Sequence, residues 1–347
     1  MLTYFIKQQP VSGTKPPQFD DFVCSYTILL EEFQKSLTIK PRRGRPFTYE
    51  HGQLVIFFTI MVCRKIYDFK AQHRWLCTHH EKAEKLGFRT IPDRTTLSKR
   101  WKEEYFFIQK FIEFIGEKAT DIDDKFSNDV LYEDSSVFRS MGNLWHAKDR
   151  LIDPVNPPKG VRSIDRDAKW TKSRYHGFVF GFKAHLTVNY KSFPKSIMVE
   201  SADFSDSKAI DSKEKYLVQL HPQAIVTDNS YFQATRIKRW QQNGIIFLTP
   251  ASHWTNTKPA IDYHELIKIP ENAKLLYYRK KVIEPVFDLL PKIMGVRNNH
   301  KQLPVRSLGN VRTLITISLL ALQIAMLENF RNNYPPRTIS NLQDSFR

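Results

Sequence analysis

A chain of 347 residues with 41% hydrophobic content has enough apolar material for a real core and enough length for two domains, which excludes a disordered polypeptide. Lysine and arginine number 53 against 36 acidic residues, a net charge of +17, and that excess suits a polyanionic partner, either nucleic acid or an anionic membrane surface. Three cysteines, Cys24, Cys63 and Cys77, imply no disulfide framework and fit a reducing cytoplasm.

Met1 to Lys7 is too short an apolar run for a signal peptide. Residues 1–45 read as an arm, a helix and a basic linker. Phe22, Tyr26, Leu29, Leu30 and Phe33 recur at helical spacing. Pro41-Arg42-Arg43-Gly44-Arg45-Pro46 follows. Its Arg-Gly-Arg-Pro core resembles an AT-hook, in which Arg43 and Arg45 would enter a narrow A·T minor groove; a solvated basic linker is the other reading. Residues 46–125 read as all helical. Tyr49 to Tyr67 reads as a buried helix rich in apolar residues from Leu54 to Val62, and Asp68 to His80 forms a second helix. His73, Cys77, His79 and His80 lack a second ligand pair at zinc spacing and are read as ordinary helix residues. After a turn at Gly87 to Pro92, Asp93 caps a further helix that carries Arg94, Lys99 and Arg100. This is either a helix-turn-helix reader of DNA or a bundle with a charged outer face. The helical pattern continues through 102–119.

At Asp129 to Ser136 the character changes. Val130, Leu131 and Tyr132 favour a strand, and Asp134 is expected where that strand ends. Taken alone, Asp134 could be a turn aspartate. Residues 139–175 are basic and hold Pro154, Pro157 and Pro158, which predicts a loop. Gly177 to Tyr190 alternates as a strand, with Ser196 to Ser201 its hairpin partner. Asp206 is expected to cap a helix to Leu220. Ala224 to Thr227 is the next strand, ending at Asp228; a helix over 232–243 and a strand over 245–248 follow. Residues 250–275, with Pro250, Pro259 and Pro270, are expected to be an inserted loop. A basic helical segment then carries Glu284, and an apolar helix over 313–328, too polar at Thr316, Ser318 and Gln323 to span a bilayer comfortably, closes the core. The tail 329–347 is polar and expected to fray from Asn332. The alternation of strand and helix predicts a mixed α/β sheet.

Two strand-end aspartates and a helical glutamate suit hard divalent cations, which prefer oxygen ligands. Two such ions about 3.5–4 Å apart can clamp an in-line phosphoryl displacement. Five pieces in order, Glu133-Asp134-Ser135-Ser136, Gly181 to Leu186, Asp206-Ser207, Thr227 to Tyr231 and the helix around Glu284, resemble a prokaryotic insertion-sequence transposase with a DDE catalytic domain. Ile91 to Leu97 resembles the end of that family's N-terminal helical region. The resemblance implies an α/β fold: an RNase H-like mixed sheet flanked by helices over 126–328, preceded by the all-α DNA-binding region. It places the three carboxylates on Asp134, Asp228 and Glu284, holding two Mg²⁺ or Mn²⁺ ions. The implied activity is metal-dependent cleavage and strand transfer at the ends of an insertion sequence. Implied partners are double-stranded DNA, both element ends and target, and a second copy of the chain in a homodimer; no membrane is implied, and the place is the cytoplasm, at the nucleoid.

The family's Tyr-x2-Arg-x3-Glu-x6-Lys signature is met at Tyr277 and Glu284. Lys280 stands where arginine is usual, and Pro291 where lysine is usual, with Lys292 one place later. Lysine keeps the charge without the bidentate fork. Glu265 and Glu271 are rivals to Glu284, both expected outside the helix. Lys183, Arg279 and Lys280 are the expected phosphate contacts, Tyr231 and Tyr277 the residues expected to position DNA. A regulator or decayed transposase that only binds DNA, and a nuclease without strand joining, are the alternative activities.

Overall fold

The computed structural model describes residues 19–37, 48–144, 162–173, 177–250, 258–297 and 301–340. Arg43 and Arg45, with the AT-hook-like segment, lie outside the described residues, as does most of the basic stretch between 145 and 161. In chain order the helices are α1 (Phe19–Ser36), α2 (His51–Cys63), α3 (Phe69–Thr78), α4 (His80–Lys85), α5 (Arg94–Glu103) and α6 (Tyr105–Lys118). The strands β1 (Val130–Arg139), β2 (Lys169–Ser173), β3 (Gly177–Asn189) and β4 (Pro194–Ser201) come next. Then follow α7 (Asp206–Gln219), β5 (Ala224–Val226), α8 (Ala234–Gln242), β6 (Ile246–Leu248), α9 (Lys258–Lys268), α10 (Pro270–Ile293) and α11 (Leu308–Arg331). They divide into two compact units: residues 1–115, 139–168 and 289–347 in one, 116–138 and 169–288 in the other.

The first unit is helical. Asp93 caps α5 through the backbone N–H of Thr96, as its sequence position predicts, and Asp68 caps α3 in the same way through the N–H of Ala71. Aromatic side chains fill the core: Phe33 stacks on Phe111 at 5.1 Å between centroids, and Phe58 meets Trp101 edge-on at 5.0 Å. α11 is long and apolar enough to cross a membrane, yet it is buried against α1, α2 and α5. Three of its polar side chains find carbonyls inside: Thr313 Oγ1 donates to Trp101 O at 2.7 Å, Ser318 Oγ to Leu314 O at 2.8 Å and Gln323 Nε2 to Ile112 O at 3.0 Å, while Thr316 Oγ1 is buried without a hydrogen-bond partner among the described residues. α11 thus completes the N-terminal helices, not the core of the sheet as its place in the chain suggested. The tail is anchored at least to Thr338, because Asn329 Nδ2 donates to the carbonyls of Pro336 and Thr338.

The second unit holds a six-stranded mixed sheet in the order β2-β3-β1-β5-β6, with β4 also paired to β3. β1, β5 and β6 run parallel, with Tyr132 opposite Val226 and Val226 opposite Leu248. β3 and β4 form the expected antiparallel hairpin. Around Leu131, Ile225, Trp240 and Phe247 a fully apolar cluster forms. Tyr263 of α9 closes it, donating from its hydroxyl to Phe247 O at 3.0 Å.

Three local expectations are corrected. β1 does not stop before Asp134 but runs on to Arg139, because its polar side chains find partners within the fold. Residues 169–173, expected as loop, form β2 against Gly177–Gly181. Residues 258–275, expected as an inserted loop, are helical: Pro259 and Pro270 occupy the first turn of α9 and α10, where a missing N–H costs nothing. Glu265 and Glu271 are therefore helical too.

Lys195 of β4 is fully buried, and its Nζ donates to Gly116 O and Phe126 O at 2.5 and 2.6 Å. Burial pushes its ammonium down from 10.5 to about 7. Between those values the unfolded chain holds a proton that the folded chain does not, so stability rises with pH across that window, by up to about 1.4 kcal/mol per pH unit. Urea midpoints of the native chain should climb from pH 7 to pH 9 relative to those of Lys195→Met. Parallel pH profiles for the two proteins would remove Lys195 as the source.

Candidate active site

Alternation along β1 sends Glu133 and Ser135 to one face of the sheet and Asp134 to the other. Asp228 lies just past β5, where its carboxylate accepts from Ser230 N at 2.8 Å and caps the short turn Asn229–Tyr231. Tyr132 and Val226 are directly opposite in parallel neighbours, and each aspartate stands two residues beyond its member of that pair. The register therefore carries Asp134, midway along β1, beside the C-terminal end of β5, where Asp228 follows, across the long interval that separates them in the chain.

Burial, with the Asp228 charge adding to it, holds the Asp134 carboxyl up at about 7 against the opposing pull of Arg279 and the Ser135 N–H. Arg279 of α10 meets Asp134 Oδ2 at 2.5 Å. On the opposite face Glu133 is fully buried, with Lys213 Nζ of α7 2.6 Å from both of its oxygens and Thr187 Oγ1 of β3 donating to Oε2 at 2.5 Å. Burial raises the Glu133 carboxyl, and Lys213 counters the rise.

Asp206 is not the N-cap of α7. Ser205 takes that role, its Oγ accepting from Lys208 N, and Asp206 turns toward the sheet. Its Oδ1 accepts from Ser135 Oγ at 2.8 Å and from Lys183 Nζ at 3.2 Å, and its Oδ2 from Ser230 Oγ at 3.1 Å. His185 Nδ1 lies 3.5 Å from Oδ1, beyond a well-formed hydrogen bond. Lys183, His185 and Thr187 were expected opposite the apolar side of β3; they are enclosed as well, because β3 is covered on both faces.

Glu284 is on α10, as expected, but its side chain is exposed. Arg279, five residues earlier and so about 140° away around the helix, is the residue of α10 that reaches Asp134. Among the described residues no three His, Cys, Asp or Glu side chains form a group that could hold a metal ion. Glu265 pairs with Lys268 at 2.9 Å, and Glu271 is exposed, as Glu284 is.

The expected DNA contacts separate in the same way. Arg94, Lys99, Lys280 and Lys292 are exposed, as is Tyr277, whose ring packs edge-on against Tyr278 with the Lys281 ammonium 4.8 Å from its centroid. Arg100 is buried: its guanidinium pairs with Glu104 at 2.7 Å, and His51 holds the other carboxylate oxygen at 2.6 Å. Lys183 is nearly enclosed and occupied by Asp206 and Phe204 O. Tyr231 is fully buried, its hydroxyl without a hydrogen-bond partner among the described residues, so it is not placed to reach DNA as expected. The pairing of Lys213 with Glu133 and the bridge at Asp206 escaped the sequence reading. The available signal was polar residues at period two, Glu133 and Ser135 on β1 and Lys183, His185 and Thr187 on β3, inside otherwise apolar strands.

A model of the transposase DDE domain matches residues 130–323, beginning at the first residue of β1 and covering both aspartates. The chain belongs to the transposase DDE domain family. It is a DNA transposase, an enzyme of DNA transposition. A comparison with curated proteins finds no match. Among solved structures the transposase is similar to piggyBac transposase in a synaptic complex with hairpin DNA, at 10% identity over 97% of this chain and 79% of that one, with a TM-score of 0.40. It is also similar to a pre-cleavage Mos1 transpososome, at 11% identity over 88% and 86% of the two chains, with a TM-score of 0.21.

The Glu133–Lys213 pair sets a stability test. Lys213→Met leaves a carboxylate in a dry site without its cation and should cost about 3–5 kcal/mol in urea unfolding. Adding Glu133→Leu should recover most of that loss. A double variant as unstable as the single one would assign the cost to packing of the lysine stem.

Proposed function

We propose that this transposase binds the ends of an insertion sequence as a homodimer and breaks and joins phosphodiester bonds at Asp134 and Asp228, within an RNase H-like domain. The observation that carries the reading is the register of β1 and β5. Two carboxylates are held side by side, one midway along β1 and one just past the parallel β5, close enough that the charge of Asp228 raises the Asp134 carboxyl. The strand order, with the Asp134 strand central and hairpin and parallel strands on its two sides, supports the RNase H-like assignment.

The donor set suits Mg²⁺ or Mn²⁺, two ions in this reading. Both groups offer hard oxygens, and Asp134 already draws a cation, Arg279, to its Oδ2. Bound divalent ions would supply positive charge to the phosphoryl oxygens and the attacking and leaving groups. The chain's own residues provide the rest. β1 fixes Asp134, the short turn after β5 fixes Asp228, and Arg279 neutralises Asp134 and can pass to a DNA phosphate. Arg94, Lys99, Lys280 and Lys292 are exposed cations for DNA backbone, and the net charge of +17 favours that partner. The N-terminal helices are assigned to end recognition. Glu284 is retained as the third carboxylate on its signature spacing, and substitution decides its membership.

The test uses the full chain and DNA flanking its reading frame, with Mg²⁺ or Mn²⁺. Asp134→Ala and Asp228→Ala should reduce strand cleavage to background while end binding stays within about threefold, since phosphate contacts elsewhere carry affinity. Glu284→Ala should do the same; full cleavage there would remove Glu284 from the site. Strand joining by the native chain separates a transposase reaction from a nuclease. Cleavage that survives Asp134→Ala would overturn the assignment.

A further inference from the structure

Asp206 has no part in the three-carboxylate reading, and the capping that its sequence position suggests is done by Ser205. Its two oxygens instead face the serines that follow the two aspartates of the site. Ser135 donates its hydroxyl to Asp206 Oδ1 at 2.8 Å, while its backbone N–H donates to Asp134 Oδ1 at 2.8 Å. Ser230 is 3.1 Å from Asp206 Oδ2 through its hydroxyl, which also lies 2.5 Å from Asp228 Oδ1, and its N–H donates to that same oxygen at 2.8 Å. One carboxylate therefore ties together the backbone segments that orient both aspartates, one on β1 and one past β5.

The bridge is itself anchored. Lys183 supplies Asp206 with a cation from β3, held in place by Phe204 O at 3.0 Å. The next residue, Ser207, reaches Ser230 O at 3.4 Å, and Arg236 donates to Ser207 O at 3.1 Å and to Tyr231 O at 2.5 Å. The first turn of α7 is thus fastened to the turn that carries Asp228. β5 has only three residues and the turn after it is exposed at Asn229 and Ser230, so the strand alone does little to fix that turn.

We propose that Asp206 is a positioning residue that sets the spacing and orientation of Asp134 and Asp228 through Ser135 and Ser230, and so tunes how tightly the pair binds a divalent cation. This rests on the assignment of those two aspartates to the metal site. A carboxylate that orients ligands without touching the ion acts on affinity, by about 10–100-fold when such an outer contact is lost.

The test is Mn²⁺ binding to the full chain without DNA, by calorimetry, alongside the Mn²⁺ concentration for half-maximal cleavage. Asp206→Asn keeps the volume but removes the charge that pairs with Lys183 and turns one acceptor into a donor, so it can no longer accept from both serines. It should weaken Mn²⁺ binding by about 10-fold or more and raise the half-maximal concentration equally, with cleavage largely restored at saturating Mn²⁺. Ser135→Ala combined with Ser230→Ala should reproduce the shift with Asp206 and its lysine intact; it also carries the test should Asp206→Asn fail to fold. Native Mn²⁺ affinity in the double serine variant would overturn the positioning role. Asp134→Ala separates the two levels. If it too binds Mn²⁺ like the native chain, the site assignment fails; if it alone loses binding, only the role of Asp206 fails.

Discussion

Carboxylates on a covered strand have to meet cations, and the second unit is arranged around that requirement. An unpaired charge in a dry interior is far costlier than any strand preference can offset. β1 carries two such groups in succession on opposite faces, and a different helix answers each: α7 brings Lys213 to Glu133, and α10 brings Arg279 to Asp134. The two pairs differ in a way that matters chemically. Glu133 is sealed between lysine and threonine, which suits a fixed structural pair. Asp134 stands beside a second carboxylate and keeps its carboxyl near neutrality, which suits a group whose counter-ion can be exchanged.

The same rule explains why so many basic residues of a strongly cationic chain are unavailable to DNA. Arg100, Lys183, Lys195, Lys213 and Arg236 are all buried, each against a carboxylate or backbone carbonyls. Net charge therefore overstates the surface that a polyanion would meet. The helical unit follows a related logic with neutral groups. α11 is apolar enough to be mistaken for a membrane segment, but its Thr313, Ser318 and Gln323 side chains each find a carbonyl inside the protein.

Several features were legible in the residues alone because they depend on local chemistry. Asp68 and Asp93 cap helices by reaching N–H groups three residues on, and nothing distant can change that geometry. The repeated pattern of apolar strand followed by aspartate found both Asp134 and Asp228, and strand register then brought them together. The prolines misled for an equally local reason: a proline forbids the interior of a helix but favours its first turn, and Pro259 and Pro270 mark beginnings where breaks were read.

By itself, then, the sequence determined every strand but β2, most helices, the cap at Asp93 and the two strand-borne aspartates, since each follows from neighbours within a few residues. Tertiary structure alone decided which side of α10 faces the sheet. Helical periodicity gives the angle between Arg279 and Glu284 but not the absolute phase, and buried contacts along the whole helix set that phase, putting Arg279 on Asp134 and Glu284 in solvent. It also decided that Lys183 and Tyr231 lie inside, because Phe204 and Asp206 close over Lys183 and the Tyr231 ring packs into the apolar cluster with Leu131 and Trp240. The bridge from Asp206 to both serines belongs to the same class. It joins three segments through side-chain atoms only, and no spacing in one dimension encodes a meeting in three.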